Sequence, residues 1–178
     1  MMIAFLAYAI LSRLAYVLYV GFALRREQLY GPSGDFHRFR RRAALVMNND
    51  AVAFVALCLA TRNTLRLPMP LAASIALGAA LAIIGLGTKL WAAQTLGSDA
   101  YYWRNFFEPE LAGEPVSSGP YRFVSNPMYT IGYLQTYGLA LLLHSLPGLL
   151  ASAFAQAAIL TFYRVVEKPH FERLHRSS

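Results

Sequence analysis

Residues 127–166 read PMYTIGYLQTYGLALLLHSLPGLLASAFAQAAILTFYRVV. Because roughly 20 helical residues cross the hydrocarbon core of a membrane, this apolar stretch is long enough for two crossings. Four residues typical of turns interrupt it near its middle: His144, Ser145, Pro147 and Gly148. The stretch therefore predicts a helical hairpin whose two spans occupy residues 127–143 and 148–166.

Three further apolar stretches, residues 2–24, 43–61 and 71–90, are each long enough to cross a membrane. The first lacks the charged start and the small-residue cleavage site of a signal peptide, so we expect a span there. The sequence thus predicts an all-α integral membrane protein, a single domain built as a bundle of about five transmembrane helices, with a terminal helix at residues 167–176. A hydrophobic content of 57% and a mean hydropathy of +0.40 agree, since both exceed what a soluble domain of this size shows.

The charge distribution predicts the orientation of the bundle. Sixteen Lys and Arg outnumber nine Asp and Glu, and only Arg62 and Arg66 lie on one of the two sides. The basic residues of the other side are Arg25, Arg26, Arg38, Arg40, Arg41, Arg42, Lys89, Arg104, Arg122, Arg164, Lys168, Arg173 and Arg176. Since positive loops stay in the cytoplasm, we expect the amino terminus outside and the carboxyl terminus inside.

The same composition limits the classes of partner and ligand that we expect. In a membrane protein a basic excess faces anionic lipid, so a nucleic-acid partner is not implied. Cys58 is the single cysteine and lies within an apolar run. Neither a disulfide nor a cysteine-based metal site is therefore expected.

The predicted cytoplasmic loop, residues 97–125, is rich in aromatic and acidic side chains. These are Tyr101, Tyr102, Trp103, Phe106 and Phe107, followed by Glu108, Glu110 and Glu114. Irregular loops of this length in small domains are often functional. A belt of aromatic rings at the level of the lipid headgroups is the alternative, and both interpretations stay open.

Residues 119–129, GPYRFVSNPMY, lead from this loop into the hairpin. Asn126 is a typical N-cap and Pro127 a typical first helical residue, so a purely structural role would explain both. Alternatively, the free N–H groups and the positive dipole end of a helix that begins here form an anion site beside Arg122.

Residues 167–172, EKPHFE, follow the last span. Because the hairpin is antiparallel, this segment and the segment around Asn126 lie on the same side and can meet. Glu167 could then bind a cation or accept a proton, or it could be an exposed carboxylate paired with a neighbouring Arg164 or Lys168. For His170, an exposed position on the terminal helix is the alternative to a role in chemistry.

Two features lie within the spans. Gly85 and Gly87 follow no strand and lack a third glycine, so they are not a dinucleotide fingerprint. Close helix packing explains them more simply, although glycine also permits a ligand to approach the backbone. Arg13 and Asp50 are predicted to pair, because a lone charge within a span is costly.

Together these motifs resemble a group of membrane-embedded methyltransferases that includes the phosphatidylethanolamine N-methyltransferases and the isoprenylcysteine carboxyl methyltransferases. The resemblance runs from Gly85 onward. It rests on Gly119-Pro120-Tyr121-Arg122, on Asn126-Pro127-Met128-Tyr129, on the hairpin, and on Glu167 with Pro169. It implies S-adenosylmethionine as the cofactor, bound at the cytoplasmic helix ends, and the Asn126 and Met128 pair resembles the phospholipid branch.

The resemblance also implies roles for individual residues. Gly85 and Gly87 match the family's glycine pair, and Glu167 matches the first of two consecutive acids, with Lys168 in place of the second. A sulfonium cofactor suits aromatic faces and a carboxylate, and an acceptor amine must lose a proton. The candidate cofactor-binding residues are Gly85, Gly87, Trp91, Tyr121, Arg122, Asn126, Pro127, Tyr129 and Glu167. The candidate catalytic residues are Glu167, Tyr129 and His170.

We therefore expect an enzyme that methylates a membrane lipid or a lipid-like acceptor, with a phospholipid amine as the favoured acceptor. Three alternatives remain: carboxyl methylation of isoprenylcysteine or of a small hydrophobic acid, sterol reduction by NADPH, and a non-enzymatic transport or structural role. In the last case a polar path across the bilayer would be lined by Arg13, Asn48, Asn49 and Asp50.

Overall fold

In the computed structural model the chain is helical, and residues 1–111 and 116–176 are described. The helices are α1 (Met2–Tyr30), α2 (Phe36–Ala60), α3 (Leu71–Leu96), α4 (Ser98–Tyr101), α5 (Leu134–Leu142), α6 (Leu146–Phe162) and α7 (Lys168–Arg176). Short 3-10 segments lie at Arg104–Phe106, Pro109–Leu111, Gly119–Arg122 and Ile131–Tyr133. These two ranges contain no strand, and the predicted all-α class is confirmed; Glu114 lies outside them.

Within the described residues, four helices are long and apolar enough to cross a membrane: α1, α2, α3 and the continuous helix Leu146–Arg173. The last consists of α6, a π-helical segment at Tyr163–Glu167, and the first part of α7. These four helices are those of an integral, multi-pass membrane protein.

The predicted fourth span differs from the expectation. Its α-helix begins at Leu134 rather than at Pro127 and contains nine residues. The preceding residues form turns, in which the Gly132 N–H donates to the Pro127 carbonyl at 2.8 Å, five residues back. At about 1.5 Å per residue, α5 is roughly 14 Å long, which is about half of the hydrocarbon core. It is a half-length helix within the bundle.

Glycines bring α5 and α3 into close contact. A side chain at Gly85 would overlap the backbone of Gln135, and one at Gly138 would overlap the backbone of Ala82. Because the later residue of α3 meets the earlier residue of α5, the two helices are antiparallel. The close-packing interpretation of Gly85 is therefore confirmed.

The turn between α5 and α6 is bonded to the connection between α2 and α3. The N–H groups of Asn63 and Leu65 donate to the carbonyls of Leu143 and His144, at 3.0 and 2.7 Å. The His144 ring nitrogen Nε2 also lies 2.8 Å from the Ser74 hydroxyl. We call this the far end of the bundle. The α1–α2 turn, the segment before α5, and α7 lie at the opposite end, here called the site end.

Two charged side chains pair inside the bundle, as predicted. Arg13 Nη2 lies 2.6 Å from Asp50 Oδ2, and the two side chains are 11% and 8% exposed. The guanidinium also lies over the rings of Tyr16 and Tyr133. These contacts join α1 to α2 and to the segment before α5.

The aromatic residues of the predicted loop belong largely to the protein interior. Trp103, Phe106 and Phe107 are buried, and Phe107 packs against Phe36 and Phe39 of α2. For these three residues the headgroup-belt alternative is wrong. The loop instead closes the site end of the bundle.

Candidate active site

The site is centred on Glu167, the last residue of the π-helical segment. Its side chain is 5% exposed, and its Oε1 atom accepts hydrogen bonds from Trp103 Nε1 at 2.6 Å and from the Tyr129 hydroxyl at 2.7 Å. The alternative of an exposed carboxylate is therefore wrong. Both bonds end on Oε1, so within residues 1–111 and 116–176 no hydrogen bond occupies Oε2.

The π-helical segment explains why Glu167 is buried although the sequence around it is polar. One extra residue per turn shifts the register of the helix, and such segments often occur at functional sites. Glu167 thereby points into the bundle. The next residue, Lys168, is exposed and lies 3.8 Å from Glu172, so it does not contact the carboxylate of Glu167.

Trp103 is held rigidly in the loop. Its backbone is left-handed, with φ 58° and ψ 38°, a conformation that costs a non-glycine residue about 1–3 kcal/mol. The indole ring packs edge-on against Phe39 of α2 and Phe162 of α6, with centroid distances of 6.4 and 5.7 Å. The aromatic content of the loop was the sequence signal for Trp103, but the hydrogen bond to Glu167 depends on tertiary packing.

Ion pairs attach this loop to α2. Asp99 accepts from Arg40 at 2.9 Å and from Arg104 at 2.7 Å, and Arg104 also donates to Glu108 at 2.7 Å. The hydrogen bond to Glu108, together with Asp99, raises the pKa of Arg104 above its usual range. The guanidinium therefore remains charged, and the loop is fixed over the site.

Two tyrosines from the segment before α5 lie near Glu167. The Tyr129 carbonyl accepts from the Gln156 side chain of α6 at 3.3 Å, which positions its phenol. The Tyr121 hydroxyl is buried and has no hydrogen-bond partner in the described part of the chain. Burial, and then the charge of Glu167, raise the pKa of Tyr121 to about 12. At neutral pH Tyr121 thus offers an unused donor, which a polar ligand could accept.

The other predicted cofactor residues are divided between two environments. Trp91 is half-exposed and lies against Gly119, whose φ of +55° begins the segment that carries Tyr121. Gly87 faces open space, whereas Gly85 packs against the backbone of α5. The structure thus brings Trp91 and Tyr121 to the same region and places Gly85 in the helix interface.

The run that includes Arg122, Asn126 and Pro127 forms an isolated turn. Arg122 is exposed, Pro127 is buried, and Asn126 Oδ1 accepts from the Tyr129 N–H at 3.2 Å. Because the α-helix begins only at Leu134, the N–H groups that follow Pro127 are not those of a helix N-terminus. The anion site based on a helix terminus here is therefore a wrong expectation.

His170 packs under the loop. It is buried, its ring stacks on Phe106 with centroids 3.7 Å apart, and its Nε2 lies 3.3 Å from the Asn105 carbonyl. The alternative of an exposed histidine is wrong. No hydrogen bond links His170 to Glu167 among the described residues.

Comparison with known families identifies the group. Residues 73–178, more than half of the chain, match the family model described as phospholipid methyltransferase. The chain belongs to the phospholipid methyltransferase family. Within this family match lie Trp103, Tyr121, Tyr129 and Glu167, whereas α1 and α2 precede it.

Similar curated proteins include phosphatidylethanolamine N-methyltransferases of yeasts. One from Saccharomyces cerevisiae strain RM11-1a is 37% identical over 99 residues, which cover 56% of this chain and 11% of the relative. One from Candida dubliniensis is 28% identical over 148 residues, which cover 79% and 17%. One from Candida albicans is 31% identical over 105 residues, which cover 58% and 12%. The chain thus spans less than a fifth of these relatives, and no solved structure matches it significantly.

Proposed function

We propose that this protein transfers a methyl group from S-adenosylmethionine to the amine of a membrane phospholipid. The observation that carries the proposal is the buried Glu167 carboxylate, fixed by Trp103 and Tyr129 in the region that matches the phospholipid methyltransferase family. The relatives' names supply the acceptor class: each is a phosphatidylethanolamine N-methyltransferase.

The residues present fit the proposed cofactor. The Tyr121 hydroxyl is a buried donor without a partner, and Glu167 has one oxygen that accepts no hydrogen bond from the described residues. Trp91 lies against Gly119, two residues before Tyr121, and its indole is half-exposed. A cation that also carries polar groups suits this combination of aromatic ring, phenol and carboxylate. Tyr121 and Trp91 are therefore the residues that would hold it, with the Glu167 carboxylate near Tyr121 and Gly87 on the open side of α3.

The proposed reaction is a direct transfer. Bound S-adenosylmethionine would supply an electrophilic methyl group on a sulfonium, and transfer of this methyl group to the amine nitrogen would release the sulfur as a neutral thioether. Before this step the headgroup ammonium must lose a proton, and Glu167 Oε2 is the acceptor that the geometry offers. The hydrogen bonds from Trp103 and Tyr129 keep the carboxylate oriented for that proton.

The proposed orientation puts the site end in the cytoplasm. Both α1 and α6 run from the far end to the site end, so the amino terminus lies outside and the carboxyl terminus inside. The basic residues around the α1–α2 turn support this orientation, since positive loops remain cytoplasmic. Tags at the two termini, probed with an impermeant reagent in intact cells, test it.

The activity is tested with purified protein in vesicles of phosphatidylethanolamine and methyl-labelled S-adenosylmethionine. We expect the label in N-methylated lipid. Glu167→Gln keeps the size of the side chain but removes its basicity, so the rate should fall by about 100-fold or more. Glu172→Gln is the matched control: Glu172 is exposed and pairs only weakly with Lys168, and its loss should change the rate less than twofold.

Other products would contradict the proposal. Base-labile label, released as methanol from an isoprenylcysteine or a hydrophobic acid, would indicate carboxyl methylation. Binding of NADPH without any response to S-adenosylhomocysteine would indicate a reductase. An unchanged rate in Glu167→Gln would exclude this carboxylate as the proton acceptor.

A further inference from the structure

A groove of about 530 Å³ lies between α1 and α6 on the outside of the bundle. Large apolar side chains form its rims, among them Leu18 and Phe22 of α1 and Val165 beyond α6, and all three are exposed. Small residues also line it, including Gly21 and Ala157. In a membrane this surface contacts hydrocarbon, so the groove is open to lipid rather than to water.

The length of the groove matches one leaflet. On α1 its lining runs from Leu14 to Arg25, and on the opposite wall it runs from Phe154 to Val166. At about 1.5 Å per residue each wall is about 17 Å long. Half of a hydrocarbon core of about 30 Å is about 15 Å. One acyl chain of a lipid in the leaflet at the site end therefore fits along it.

The upper end of the groove adjoins the candidate active site. Val166 lines the groove and directly precedes Glu167. Phe162 also lines it, and its ring packs edge-on against Trp103, which donates to Glu167. The Phe162 ring and the Trp103 indole behind it thus connect the groove to the carboxylate.

Charge at the same end favours a phospholipid. Among the described residues that line the groove, Arg25 is the one charged residue, and it is exposed. It lies at the site end of α1, directly after the apolar stretch of residues 2–24, where lipid phosphates are expected. A guanidinium at this depth can extend to the interface and bind a phosphate group.

We infer that this groove binds one acyl chain of the phospholipid substrate while Arg25 binds its phosphate, which brings the headgroup amine to Glu167. The identity of the lipid as substrate rests on the proposed function. The groove itself rests on its length, its apolar lining and its single cation. The inference gives the α1 helix, which lies outside the family match, a role in recognition of the acceptor.

The first test measures binding without catalysis. The full chain is reconstituted with a phosphatidylethanolamine that carries a photoreactive diazirine on one acyl chain, and the crosslinked peptides are mapped by mass spectrometry. We expect crosslinks to concentrate on α1 and α6. Ala157→Trp, which fills the groove from an exposed position, should reduce these crosslinks by about tenfold, as a contact worth about 1.4 kcal/mol would. Ile83→Trp, on the exposed side of α3, should not.

The second test is kinetic. Ala157→Trp and Arg25→Gln should raise the KM for long-chain phosphatidylethanolamine, whereas Ala157→Trp should leave the KM for a dihexanoyl substrate unchanged because its chains do not fill the groove. Ala158→Phe is a second groove-filling variant in case Ala157→Trp fails to fold. Two results would overturn the inference: crosslinks that are distributed equally between α3 and the groove, or crosslinks that are unchanged in the variants with a filled groove.

The two proposals fail separately. Concentrated crosslinks without methylation of lipid would retain the groove as a lipid site and reject the proposed function. Methylation that is insensitive to Ala157→Trp, Ala158→Phe and Arg25→Gln would retain the function and reject the groove.

Discussion

Asp50 should matter more for the stability of the bundle than the arginine with which it pairs. Arg13 and Asp50 are in contact at 2.6 Å, and Lys89 lies close enough to interact electrostatically with both. Of these three residues, one from each of α1, α2 and α3, two are basic and one is acidic. Removing the single carboxylate leaves two cations facing each other, whereas removing Arg13 leaves a carboxylate that Lys89 can still balance.

The magnitudes follow from this arrangement. Two unit charges about 4 Å apart at an effective dielectric constant near 20 attract by about 4 kcal/mol. Loss of one partner from a buried pair typically costs about 3–5 kcal/mol. We expect Asp50→Asn to fall in that range. Arg13→Gln should cost about 2 kcal/mol less, because Lys89 replaces part of the lost attraction.

The measurement is equilibrium unfolding in mixed micelles, with SDS as the denaturant and helical circular dichroism as the signal. Asp99→Asn is the control, because Asp99 forms ion pairs that are partly exposed and worth about 0–1 kcal/mol. The double variant Arg13→Gln/Asp50→Asn should lose less than the sum of the single losses. If Arg13→Gln destabilises as much as Asp50→Asn, the assigned balance of charge among the three residues is wrong.

Two further variants test the site and the packing. Trp103→Phe keeps an aromatic ring but removes the N–H donor to Glu167. The kcat for lipid methylation should therefore fall about tenfold with little change in KM, as expected for loss of about 1.5 kcal/mol. Tyr102→Phe in the same loop is the control, and an unchanged kcat in Trp103→Phe would show that this bond does not orient the carboxylate. Gly85→Leu should prevent the close approach of α5 and reduce the yield of folded protein, measured by size exclusion in detergent, whereas Gly87→Leu faces open space and should fold normally; equal yields would refute the packing role.

The hairpin was predictable because its signals are local. Apolar length predicted two helical passes, and the run of turn residues predicted the reversal between them. In the structure α5 ends at Leu142 and α6 begins at Leu146, with Ser145 capping α6 through the Gly148 N–H. The turn residues thus act through their own backbone and side-chain chemistry, which sequence alone can reveal.

The start of α5 was not predictable in this way. Asn126 does act as a cap, as expected, but it closes a single turn instead of a helix. A side chain at Gly132 would lie 3.2 Å from the Pro127 carbonyl and 3.4 Å from Lys89 Cβ, so the backbone here is pressed against α3. Tertiary packing therefore overrides the local preference for a helix. The same irregular turn brings Tyr129 to Glu167.

At the centre of the site, one contact of Glu167 was predictable from the sequence and the other was not. The antiparallel hairpin predicted that the segments around Asn126 and Glu167 meet, and Tyr129 does contact Glu167 at 2.7 Å. The second donor, Trp103, lies 64 residues away from Glu167 in the sequence. Neither its left-handed backbone nor the π-helical register that turns Glu167 inward has a local sequence signature. Both depend on how the loop packs against α2 and α6.

The helices that precede the family match have a physical role in the site. Phe39 of α2 supports the ring of Trp103, and the Gln28 side chain of α1 donates to the Val166 carbonyl at 3.2 Å. The residues proposed for chemistry lie in the matched region, but their positions depend on these two helices. Since α1 also forms one wall of the groove, changes in α1 can alter the choice of lipid without altering Glu167. Related proteins with the same carboxylate could therefore differ in their acceptors through their first helix alone.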